Sequence, residues 1–93
     1  MSLIYKSISK NKNIIKEKVK PLLIWKKSKN VIHSENLIQI LKEILIYFNL
    51  TNTQWKIIVA IGDTDKSSFI DFDLFMNLAT NSAKITASHP KLS

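Results

Sequence analysis

Ninety-three residues, 45% apolar and 23% charged, suffice for one small globular unit and argue against a chain disordered throughout. The absence of cysteine excludes disulfide frameworks and thiolate metal sites, and the apolar runs PLLIW and IIVAI fall well short of the roughly 20 residues that cross a bilayer. The net charge of +7 comes from lysine alone, and the missing guanidinium fork makes sequence-specific DNA reading a poor expectation.

The lysines are unevenly placed. Residues 1–30 hold nine of them against Glu17, the middle of the chain is neutral, and residues 63–93 hold four aspartates against three lysines. Such a start attracts phosphates, anionic lipid or acidic protein surfaces. Residues 1–13 read as a Lys-rich flexible extension in which Leu3, Ile4 and Ile8 form one short helical stripe. From residue 13 to 27, the spacing of Ile14, Ile15, Val19, Leu22, Leu23 and Trp25 predicts a helix that either kinks at Pro21 or restarts there.

The next element is better marked. Ser34 is a candidate cap for a helix running to about Phe48, with Leu37, Ile38, Leu41, Ile44, Leu45 and Phe48 on one face. After Asn49 and Leu50, Thr51 and Gln54 have the spacing of a capping box, and Trp55, Ile58, Val59 and Ile61 form the inward face of a third helix. Gly62 is expected to end it through a left-handed backbone. Asp71 then caps a fourth helix carrying Phe72, Phe75, Met76, Leu78 and Ala79, and residues 83–93 read as a polar tail. Before each cap stands a pair suited to a short extended segment: Val31 and Ile32, then Phe69 and Ile70.

Helix, loop, helix, linker, helix, loop, helix is the resulting order. The stretch TNTQWKIIVAIGDTDKSSFIDFDLFMNL, from residue 51, resembles the second hand of an EF-hand pair through its capped entering helix, D-x-D-x-S opening, central Ile70 and I-D-F-x-x-F exit. IWKKSKNVIHSENLIQIL resembles a first hand more faintly. The fold class implied is all-α, a paired helix–loop–helix domain over residues 14–82, with hands at about 14–48 and 51–82 and a short two-stranded pairing between the loops.

The same resemblance assigns ligand positions. In the second loop they fall on Asp63, Asp65, Ser67, the Phe69 carbonyl and Asp71, with Ser68 where the sharp turn favours glycine and Leu74 where a bidentate glutamate belongs. Leu74 removes two oxygen ligands together, so no cofactor is expected, and calcium only as a weak ligand. In the first loop the positions hold Trp25, Lys27, Lys29, Val31, His33 and Asn36, whose ammonium groups repel a divalent cation. Capping and turn formation are the favoured account of the aspartates.

No glycine-rich phosphate loop and no nucleophile–base motif are present, so catalysis is not expected. The resemblance implies instead a calcium-independent interaction or scaffolding module, with a weak calcium-regulated module as the alternative. Its partner would be an amphipathic helix or a neighbouring hand, received in an apolar groove formed by Leu41, Leu45, Phe48, Trp55, Val59, Phe72, Leu74, Phe75 and Met76. Filling the core is the competing role for each of these side chains. Nucleic acid is not an expected partner, membrane contact would go through the Lys-rich start, and a soluble, intracellular chain is the default.

Overall fold

The structure is a computed structural model that describes residues 2–88. Its elements are α1 (Ser2–Lys10), α2 (Lys12–Val19), β1 (Ile24–Lys26), β2 (Lys29–His33), α3 (Ser34–Ile44), α4 (Asn52–Val59), β3 (Phe69–Asp71) and α5 (Phe72–Ser88), with 3₁₀ turns at Lys20–Leu22 and Ala60–Gly62. Two helix–loop–helix halves, α2 to α3 and α4 to α5, meet where β2 pairs antiparallel with β3. Ile32 lies opposite Ile70 in that pairing, and both are buried.

The expected all-α class is corrected: β1, β2 and β3 form a three-stranded antiparallel sheet, and the molecule mixes α and β. The cause lies in the first loop. Ile24 pairs with Val31, Trp25 with Asn30 and Lys26 with Lys29, so the chain reverses through Lys27 and Ser28 alone. Both turn residues have positive φ, 52° and 62°, the requirement that makes asparagine and glycine the usual occupants of a two-residue hairpin turn. Neither residue announces the turn in the sequence.

Pro21 neither kinks a long helix nor restarts one. It sits in the first positions of the 3₁₀ turn that ends α2, and Leu23 is already extended. The cap of α3 is His33, whose Nδ1 accepts from the Glu35 amide, and not Ser34. That helix stops at Ile44, four residues before Phe48, leaving Ile46 and Tyr47 exposed in the connection to α4. The Thr51–Gln54 capping box is formed in both directions.

Gly62 is needed for closeness and not for left-handed backbone, since it has no positive φ. A Cβ there would stand 2.6 Å from Ile70 Cγ2 and 2.8 Å from Phe75 Cβ, inside any real contact distance. The single glycine thereby lets the end of α4 press against the strand and helix that follow it.

Residues 1–13, read as an extension, contain α1, and Ile4, Tyr5 and Ile8 are buried in the main core. Ile4 and Ile8 of the predicted stripe do face one side, but Leu3 faces solvent and Tyr5 takes the inward place. Tyr5 donates its hydroxyl to the Ile58 carbonyl of α4 at 3.3 Å, and α1 packs chiefly along α5. At the other end α5 continues to Ser88, into the stretch read as a tail. The rest of that tail, residues 89–93, lies outside the described residues.

Candidate functional site

The second loop begins where the 3₁₀ turn ends, with the Asp63 amide bonded to the Ala60 carbonyl. The Asp63 carboxylate then closes the loop from inside. Its Oδ1 accepts from the Ser67 amide at 3.0 Å and its Oδ2 from the Ser68 amide at 3.1 Å. Asp65 accepts from the Ser67 amide at 3.3 Å, and Ser67 Oγ accepts from the Phe69 amide at 3.3 Å. Lys66 and Ser68 hold positive φ, 55° and 70°. Such a conformation costs a non-glycine residue about 1–2 kcal/mol, and amide bonds to carboxylates offset that cost.

Asp71 performs a different task. Its Oδ1 accepts from the Leu74 amide at 3.2 Å, which satisfies one of the free donors at the start of α5. Leu74 itself is half-buried. A side chain that holds the helix start by its oxygen and a neighbour that offers only carbon leave the exit of the loop without a chelating pair. Among the described residues, no three histidine, aspartate or glutamate side chains gather into a group suited to a metal ion.

The first loop supplies the positive charge that the second faces. Lys27 Nζ stands 3.8 Å from Asp65 Oδ2, and Lys29 Nζ donates to Thr64 Oγ1 at 3.5 Å. Lys26 Nζ lies 4.3 Å above the Phe69 ring, whose edge meets His33 at a centroid distance of 5.3 Å. Together Lys26, Lys27 and Lys29 overhang a cleft of about 60 Å³ that Asp65 and Asp71 also line. The Asp65 carboxyl is held below the ordinary carboxylate range, first by the Ser67 hydroxyl, then by the Ser67 amide and the Lys27 ammonium. A solvent-exposed ion pair of this length contributes little to stability, but three ammonium groups at the mouth disfavour a second cation.

Of the five oxygen-bearing positions predicted in the second loop, Asp63, Asp65 and Ser67 accept backbone amides within the loop, while Phe69 and Asp71 belong to β3 and the Asp71 carboxylate caps α5. Of the first-loop positions, Lys27, Lys29 and Val31 border the same cleft, while Trp25 stands exposed on β1 of the hairpin. Of the residues expected to line a groove, Leu41, Leu45, Trp55, Val59, Phe72, Phe75 and Met76 are buried, while Phe48 and Leu74 are half-buried. They form interior and not an open trough. Ile4, Tyr5 and Ile8 share that core, and Tyr5 is pushed above its ordinary pKa by burial.

Sequence reasoning missed Tyr5, Lys27 and His33. Tyr5 had a signal, since Ile4, Tyr5 and Ile8 follow the spacing of one helical face; the other two depend on the hairpin. No protein-family model, curated protein or solved structure matches the chain.

Proposed function

We propose that this chain is a non-catalytic, calcium-independent interaction module whose helix-binding face is covered by its own first helix. The observation that carries the reading is the seat of α1: Ile4, Tyr5 and Ile8 enter the core shared by α4 and α5, and the Tyr5 hydroxyl reaches the Ile58 carbonyl. An amphipathic helix laid on an apolar face through residues i, i+1 and i+4 is a general mode of peptide recognition. Here the face is built while the carboxylates of the second loop are engaged by amides and Lys27. A partner helix of similar pattern would compete with α1 for that seat, and α1 would tune its affinity.

The test uses the chain carrying Ile4→Ser and Ile8→Ser, which loosens α1 and leaves its seat intact. A synthetic peptide of residues 1–12 is titrated into it with chelator and again with calcium. Saturable binding with the same midpoint in both titrations is the expected result. Binding that requires calcium, or none in either titration, overturns the reading.

A further inference from the structure

Trp25 is 70% exposed, and its neighbours Ile24 and Leu22 are 48% and 41% exposed. All three belong to the hairpin arm that begins at the 3₁₀ turn and runs through β1. β1 is an edge strand with β2 as its one neighbour. Successive strand residues point to opposite faces, yet every residue of β1 is exposed. Both faces of the arm therefore meet solvent, and its apolar side chains are left uncovered. Lys20, Lys26 and Lys27 flank it, all exposed, with Lys26 Nζ over the Phe69 ring and Lys27 Nζ 3.8 Å from Asp65 Oδ2, and within residues 1–30 Glu17 is the sole acid.

We propose that this arm docks the molecule on an anionic lipid bilayer, with Trp25, Ile24 and Leu22 entering the boundary between headgroups and acyl chains and the three lysines staying among the phosphates. Tryptophan favours that boundary because its ring is apolar and its N–H finds a polar partner there, and lysine stems extend along apolar matter while the ammonium remains wet. Two properties of the arm select this occupant. It offers exposed side chains on both faces, which suits a deformable medium more than a shaped protein pocket. It is also ringed by like charge, so two-fold pairing of β1 with β1 of a second copy would bring lysines together.

The contact is interfacial, since no described helix is long and apolar enough to cross a membrane. It also differs from contact through α1, whose apolar residues Ile4, Tyr5 and Ile8 are inside the fold.

The experiment mixes the full chain with vesicles of phosphatidylcholine, alone and with phosphatidylserine, and follows tryptophan emission and sedimentation. Trp55 is 1% exposed, so a blue shift and protection from an aqueous quencher report Trp25. The expected result is binding to the phosphatidylserine vesicles, with quenching by bromine-labelled acyl chains. Trp25→Ser should abolish the shift and weaken sedimentation, and Lys20→Gln or Lys26→Gln should each lower partitioning about fivefold. Circular dichroism unchanged in these variants confirms that the fold is kept. Absence of binding, or binding indifferent to Trp25→Ser, overturns the proposal. An equal emission shift with polyglutamate or an RNA oligonucleotide overturns it as well, by assigning the arm to a soluble polyanion.

Discussion

The two loops occupy equivalent places between helices and solve the same closure problem with different chemistry. The first closes by backbone alone: a two-residue turn and an antiparallel ladder, with the side chains of β1 left outside. The second closes by side chains, through Asp63 binding two amides that the ladder does not use. One loop thus leaves Trp25 outside and lays its lysines over the second loop, whereas the other turns the Asp63 carboxylate inward. Their common element is the pair Ile32 and Ile70, at the centre of β2 and β3.

That shared element gives the largest expected effect. Ile32→Ala and Ile70→Ala each remove a fully buried side chain from the seam between the halves and should cost about 2–5 kcal/mol, read as a lowered urea midpoint. Nearly equal losses would mark the seam as common property of both loops. A loss confined to Ile70→Ala would break the comparison and make the first loop an appendage.

Asp63 and Lys27 separate the loops more finely. Asp63→Ala strips two amides of their charged acceptor and should destabilise by about 1–3 kcal/mol, while Lys27→Ala removes an exposed pair and should change stability by about 1 kcal/mol or less. The same denaturation experiment measures both. Similar losses would mean that the lysines hold the second loop as firmly as its own carboxylate does.

The two ends of the pH scale probe the second loop and α1 in turn. Asp65 has a lowered folded pKa, so its contribution is present above the unfolded value near 4 and is lost as pH falls through the folded value. Tyr5 has a raised folded pKa, so its contribution is present below the unfolded value near 10 and is lost as pH rises through the folded value. Tyr5→Phe should cost about 1 kcal/mol at neutral pH and remove the part of the alkaline loss that Tyr5 contributes. Near-ultraviolet circular dichroism against pH checks both ends.

The smallest effects are gains. Ser28 in the first loop and Ser68 in the second both hold positive φ, and glycine at either should add up to about 1 kcal/mol, the relief of strain exceeding the entropy that glycine loses on folding. A gain at Ser68 alone would indicate that Ser28 is held more tightly than the ladder requires.

What could be read in the sequence tracks local chemistry. The Thr51–Gln54 capping box and the Asp71 cap each depend on residues a few positions apart, and their side-chain types announce them; the left-handed Ser68 was legible only through the family resemblance. The hairpin was hidden because Lys27 and Ser28 lack the usual turn signature, and with it went the cap at His33 and the lysine overhang. Groove and core were indistinguishable in the sequence for a related reason. Helical spacing gives the apolar face of α4 and α5, but what covers that face is α1, some fifty residues earlier in the chain.

Calcium dependence of thermal stability tests the proposed calcium independence of the second loop most directly. The chelator-stripped chain is melted with and without calcium, beside Asp63→Ala under the same conditions. A site with a dissociation constant one-hundredth of the calcium concentration would add about 2.7 kcal/mol, a rise on the order of 10 °C for a chain of this size. The predicted result is an unchanged melting temperature for the unmodified chain. A rise that grows with calcium concentration and disappears in Asp63→Ala would contradict it.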